Sequence, residues 1–163
     1  ASGCGVQVRD YGHILADDTL YAEKAAKISS LSRDPSEVLA GEKAALLPLL
    51  AARPERRGKL AFHSPCTLQH GLQIRGSIEV LLQSAGYDLT PVADSYLCCG
   101  SAGTYSVLQP ELAGMLRANK LAALNAGGPA LAATANIGCL THLQAGSSLP
   151  VRHWIELIDE VLA

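Results

Sequence analysis

Apolar positions change rhythm about a third of the way along the chain. Before that point they keep a helical spacing. Tyr21, Ala25 and Ile28 share one face and Glu23, Lys24 and Lys27 the other, behind Asp17 and Asp18, whose carboxylates suit the positive end of a helix. A second helix is announced by Asp34-Pro35-Ser36-Glu37, where Asp34 can cap, Pro35 fits the first turn and Glu37 can reach back. Pro48 lacks a backbone N–H and is expected to interrupt that helix. The polar, turn-rich run from Arg53 to Gly58 then reads as a linker.

Beyond the linker, three short apolar segments at 59–63, 89–93 and 130–137 read as strands, separated by helical stretches. The first stretch covers 68–85, with Ile74, Ile78 and Leu81 in phase and Gly86 placed to end it. The second starts at Pro110 and runs through Leu112, Met115 and Leu116 to the stop at Gly127-Gly128-Pro129. A last helix over 151–162 turns Ile155, Ile158 and Leu162 inward, with His153 and Trp154 as packing and surface residues. Alternation of this kind implies an α/β fold: a Rossmann-like parallel sheet with flanking helices, here preceded by a helical segment.

Composition narrows the class. Hydrophobic residues make up 48% of the chain but aromatics only 4%, so the core must be packed from Leu, Ala, Val and Ile. The net charge is −2 and the basic residues are scattered, apart from Arg53, Arg56 and Arg57, which argues against a nucleic-acid surface. No apolar run approaches the roughly 20 residues that cross a bilayer, and the chain is read as cytoplasmic.

The cysteines carry the chemistry. There are five, an odd number, and Cys98 and Cys99 are adjacent, where a mutual disulfide would close a strained ring, so metal or redox chemistry outranks a disulfide framework. Cys66 follows the first expected strand, Cys98 and Cys99 the second, and Cys139 the third. In an open parallel sheet these positions meet at the carboxyl edge, where ligands bind. Soft thiolates favour an iron-sulfur cluster. Zinc fits four thiols with a nearby His, although the short paired knuckles of zinc modules are absent, and metal-free buried thiols are the third reading. The turn Cys98-Cys99-Gly100-Ser101-Ala102-Gly103 would let the backbone approach closely and point amides at anionic sulfur. His63 and His70 flank Cys66 as a nucleophile and base would, but no arginine closes an anion loop before Arg75, and hydrogen bonding within the fold is the expectation for each His. Gly100 and Gly103 lack the G-x-G-x-x-G pattern of a dinucleotide site.

Three stretches carry a family resemblance: His63-Ser64-Pro65-Cys66-Thr67-Leu68-Gln69-His70, Cys98-Cys99-Gly100-Ser101-Ala102-Gly103-Thr104-Tyr105, and Thr134-Ala135-Asn136-Ile137-Gly138-Cys139. With Tyr11-Gly12-His13 and the run from Val151 to Glu156, they make the chain resemble glycolate oxidase iron-sulfur subunits from Cys4 to its end. The wider family includes the heterodisulfide reductase B subunit. It is built on a cysteine, a Cys-Cys-Gly turn and a final Cys-x-x-Cys, usually in two tandem copies.

The resemblance implies that Cys66, Cys98, Cys99 and Cys139 bind an iron-sulfur cluster, expected to be 4Fe-4S, with zinc as the alternative. In this chain the last motif reads Cys139-Leu140-Thr141-His142, which makes His142 a candidate additional ligand, and Ser64 stands where close relatives can carry Cys. Cys4, in Ala1-Ser2-Gly3-Cys4-Gly5, resembles the last cysteine of a preceding motif, so the chain is expected to be a piece of a longer subunit. Residues 1–52 would then close a preceding repeat and form a helical connector, 53–58 would link, and 59–163 would form the cysteine-rich CCG domain. The implied role is electron relay from a flavin-containing glycolate oxidase subunit toward a membrane acceptor, with no catalytic residue in this chain. The complex would be cytoplasmic or peripheral at the inner membrane.

Overall fold

The computed structural model describes residues 1–53 and 55–163; Pro54, in the expected linker, lies outside the described residues. Four helices come first: α1 (Ser2–Ile14), α2 (Ala22–Leu31), α3 (Pro35–Gly41) and α4 (Lys43–Ala51). Then follow β1 (Lys59–His63), a π-type turn (Thr67–Gly71), α5 (Ser77–Ser84), β2 (Asp88–Thr90), α6 (Tyr105–Leu108), α7 (Pro110–Asn125), β3 (Leu131–Thr134), α8 (Ile137–Gln144), β4 (Val151–His153) and α9 (Trp154–Leu162). The sheet is entirely parallel, in the order β2-β1-β3-β4. It has helices on both faces, the expected α/β architecture.

Several boundaries differ from the sequence reading, each for a local reason. β3 stops at Thr134 because the Asn136 side chain accepts the Gly138 N–H at 2.9 Å and starts α8, so Ile137 opens a helix rather than closing a strand. The expected helix over 68–85 is split into the π-type turn and α5, with Gln73 and Gly76 at φ of 58° and 78° between them. The first residues of the expected last helix form β4 instead, pairing Val151 with Ala132 and His153 with Thr134. Pro48 does not break its helix: it sits inside α4, and the chain turns at Glu42, between α3 and α4.

Asp34 caps α3 as read, accepting the Ser36 N–H at 2.9 Å while Glu37 takes the Asp34 N–H at 2.8 Å. Glu37 also pairs with Arg9 of α1. α1 had no counterpart in the apolar pattern, because it meets α2 through small residues. A Cβ on Gly12 would lie 3.1 Å from Ala26 Cα, and the Gly12 N–H donates to Ser29 Oγ at 2.9 Å. Tyr21 and Ile28 remain exposed; only Ala25 of the expected face is buried.

Strand parity divides the core in two. Leu60 and Phe62 of β1 face one layer with Leu82, Trp154, Leu157 and Ile158. Ala61 of β1 and Ala132 of β3 face the other with Leu121, Leu124 and Leu143, and this second layer includes Cys99 and Cys139. Trp154, read as packing or surface, is a core residue. Leu46 and Leu50 of α4 reach the first layer, so α4 packs on the helices that cover the sheet.

Leu50 is fully buried, so Leu50→Ala is expected to lower stability by about 2–5 kcal/mol through lost burial and a residual cavity. Urea denaturation followed by far-UV circular dichroism checks this. A loss under about 1 kcal/mol would mean that α4 contributes no core.

Candidate metal centre

Because every strand is parallel, all four carboxyl ends open on one edge, and three connections from that edge carry cysteines. Cys66 lies three residues past β1, immediately before the π-type turn. Cys98 and Cys99 lie midway along the long connection between β2 and α6. Cys139 is the third residue of α8, where free amides and the helix dipole favour an anionic sulfur.

Specific contacts hold these connections together. Gln69 Nε2 donates to the Ser64 carbonyl at 3.0 Å and to the Ser95 carbonyl at 3.2 Å, joining the run before Cys66 to the run before Cys98. Gly100 must be glycine on two counts: its φ is 91°, and a Cβ there would lie 2.5 Å from the Ala113 carbonyl of α7. That turn also directs the Gly100 N–H at Cys98 Sγ, 3.3 Å away.

The four thiols are neighbours in the order Cys66, Cys98, Cys99, Cys139, and their titrations are linked accordingly. Cys66 draws the Cys98 thiol well below its ordinary range, aided by Cys99 and by the Gly100 N–H, against burial. Cys139 is likewise lowered, first by Cys99 and also by His63, against burial. Cys66 is raised by Cys98 and by burial, and Cys99 by Cys139, Cys98 and burial. Without a cation, two sulfurs ionise at the expense of the two beside them.

His63 is the member that sequence reasoning passed over. One ring nitrogen and the sulfurs of Cys99 and Cys139 all lie within 4.8 Å of one another, and all three residues are buried. Neither ring nitrogen of His63 has a hydrogen-bond partner of good geometry, and the group the ring acts on is the neighbouring Cys139 thiol. Thr134, its register partner on β3, buries an Oγ1 that is also unsatisfied. Of the four such atoms among the described residues, three stand side by side on this wall. The usable signal was parity, since His63 points to the same side of β1 as Ala61, toward the layer that holds Cys99 and Cys139.

His142 lies elsewhere. Its Nε2 donates to the Ala113 carbonyl at 3.3 Å. Like His142, Cys66 and Cys98 lie outside the close group of His63, Cys99 and Cys139, but they are joined to it through the pairs Cys66–Cys98 and Cys98–Cys99. Cys4 is exposed, and it is the third residue of α1 behind a glycine, the place that Cys139 takes in α8. The start of α1 packs beside the start of α8: the Ser2 N–H donates to the Ala135 carbonyl at 3.0 Å, and Ser2 Oγ lies 2.8 Å from Thr67 Oγ1.

The family model for the CCG cysteine-rich domain matches residues 60–144, just over half of the chain. The chain belongs to the CCG cysteine-rich domain family. Among curated relatives it is 50% identical, over 99% of its length, to the glycolate oxidase iron-sulfur subunit of Escherichia coli (strain K12). It is 30% identical, over 90% of its length, to the probable glycolate oxidase iron-sulfur subunit of Bacillus subtilis (strain 168). It is 23% identical, over 98% of its length, to lactate utilization protein A of Shouchella clausii (strain KSM-K16). The chain spans 39%, 32% and 67% of these three relatives respectively.

The CCG residues present suit a metal centre of the thiolate class. The donors are soft, a cation would relieve the competition for protons among the four sulfurs, and the orphaned His63 N–H and Thr134 O–H lack acceptors that sulfide or thiolate could supply.

Alkylation should read this arrangement directly. In the metal-free CCG chain, half-buried Cys98 is expected to react well before buried Cys99, whereas loading the centre should protect Cys66, Cys98, Cys99 and Cys139 together. Exposed Cys4 should react in both states. Mass spectrometry of iodoacetamide-treated protein checks this; equal labelling of the four before and after loading would contradict it.

Proposed function

We propose that the chain is the cysteine-rich part of an iron-sulfur electron-transfer subunit in a glycolate or related 2-hydroxy acid oxidoreductase complex, and that it carries no catalytic residue of its own. The observation that carries this reading is the gathering of the four cysteine thiols at the carboxyl edge of the sheet, in a chain half identical to a glycolate oxidase iron-sulfur subunit. Cys66, Cys98, Cys99 and Cys139 would hold an iron-sulfur cluster of the 4Fe-4S class. Such a cluster, when bound, supplies reversible one-electron storage.

The chain's own groups set the conditions for that storage. The Gly100 N–H aimed at Cys98 and the dipole of α8 behind Cys139 stabilise thiolate. His63 and Thr134 offer protons to buried sulfur, while Cys99 and Cys139 keep that side of the centre dry. Electrons would arrive from a flavin-containing subunit and leave toward a membrane acceptor, with the complex cytoplasmic or peripheral at the inner membrane. Among the described residues no helix is long and apolar enough to cross a membrane. Cys4 would be the last cysteine of a preceding motif in the same subunit, and residues 53–58 would separate that part from the cysteine-rich domain. A zinc docking module is the less favoured reading, because the names of the most similar relatives specify iron-sulfur subunits.

Variants should rank the ligands. Cys98→Ala or Cys99→Ala is expected to lose most of the visible absorption that bleaches on reduction, and His142→Ala, whose ring bonds a backbone carbonyl, to keep nearly all of it. Anaerobic absorption spectra before and after dithionite check the ranking. Full retention in both cysteine variants would overturn the ligand assignment.

A further inference from the structure

Lys120 is a buried lysine outside the cysteine motifs. It lies in the middle of α7 and is 2% exposed. A lysine on an amphipathic helix normally lifts its ammonium into water. Lys120 instead donates from Nζ to the Asp94 carbonyl at 2.9 Å and to the Ser95 carbonyl at 3.4 Å. It joins none of the ion pairs among the described residues.

Those two carbonyls belong to the turn that leads into the Cys-Cys-Gly run. Asp94 holds φ of 48°, and its carbonyl also accepts the Leu97 N–H at 3.0 Å. The Ser95 carbonyl is the one that Gln69 reaches from the Cys66 side. One and two turns earlier on the same helix, Leu116 and Ala113 back Gly100 closely enough to exclude a Cβ. α7 therefore forms the wall behind both connections, with its one buried cation inside that wall. Burial holds the Lys120 ammonium below its ordinary range, and the groups pulling the other way are, in order, Cys99, Cys98 and the Asp94 carboxylate.

We propose that Lys120 is the built-in counter-charge of the metal centre, placed to favour its reduced form; the proposal rests on the iron-sulfur reading above. Reduction adds one negative charge to a site that already holds several thiolates. A positive charge held against the turn that leads into the Cys-Cys-Gly run, in a poorly polarisable interior, opposes that build-up. The hydrogen bonds from Nζ have a second consequence: they tie the same charge to the turn that places Cys98 and Cys99.

Two substitutions separate charge from anchoring. Lys120→Gln removes the charge but keeps a donor for the carbonyls, and Lys120→Met removes both. Each variant and the parent chain, isolated anaerobically, are assayed for iron and acid-labile sulfide, then titrated optically for the midpoint potential. The expected result is a centre retained in Lys120→Gln, with its reduction equilibrium shifted at least tenfold toward the oxidised form, about 59 mV for a one-electron couple. Lys120→Met should shift by a similar amount wherever it retains the centre. A Lys120→Gln midpoint equal to the parent's would overturn the proposal and leave Lys120 as an anchor. Loss of the centre from a folded Lys120→Gln chain would overturn it too. A parent chain without sulfide or a redox transition would overturn the iron-sulfur reading itself, and the counter-charge with it.

Discussion

Four sulfur atoms held as neighbours cannot all give up their protons unless something positive is shared among them. That constraint organises the carboxyl edge of this protein. In the metal-free chain it is met unevenly, with Cys98 and Cys139 lowered and Cys66 and Cys99 raised. The surroundings turn partial positive charge toward them, from the Gly100 N–H and the first amides of α8, and Lys120 behind the Cys-Cys-Gly run is the proposed full counter-charge. Such an arrangement is costly for a fold to maintain around free thiols and favourable around a cation.

Much of the fold serves to bring these groups together. An all-parallel sheet places successive carboxyl ends on one edge, so residues far apart in sequence meet there without a long-range loop of their own. Gln69 joins the Cys66 and Cys98 connections through the Ser64 and Ser95 carbonyls. Asn136 starts α8 and donates to Thr67 Oγ1 at 3.2 Å, joining the Cys139 connection to the Cys66 side. The helices before the sheet take part as well, since Ser2 of α1 meets Thr67 and Ala135, and Leu50 of α4 joins the core cluster that contains Trp154.

The legible features were those written locally. β1 could be read because a short buried run is bounded by Gly58 on one side and Ser64-Pro65 on the other. The cap at Asp34 was equally plain, since capping is settled within four residues. The gathering of the cysteines followed from the sheet class alone. Other features depended on partners that no local pattern names. β4 is three residues long and runs directly into α9, so its alternation is too short to separate from a helical phase. α1 meets α2 along a seam of small, partly exposed residues, Gly12, Ala26 and Ser29, rather than a stripe of large apolar ones. His63 was visible as a neighbour of Cys66, but its proximity to Cys99 and Cys139 comes from which face of β1 it occupies. Lys120 looks in sequence like any helix lysine, and only the turn at Asp94 and Ser95 folding over it makes it buried.

The central claim is that the thiol cluster exists to hold iron and sulfide. Elemental analysis of the chain prepared without oxygen, with acid-labile sulfide measured on the same sample, tests it most directly. The account predicts iron and sulfide in comparable amounts, both lost together when Cys66, Cys98, Cys99 and Cys139 are replaced by serine. Stoichiometric zinc bound by the same four cysteines, with no sulfide, would contradict it.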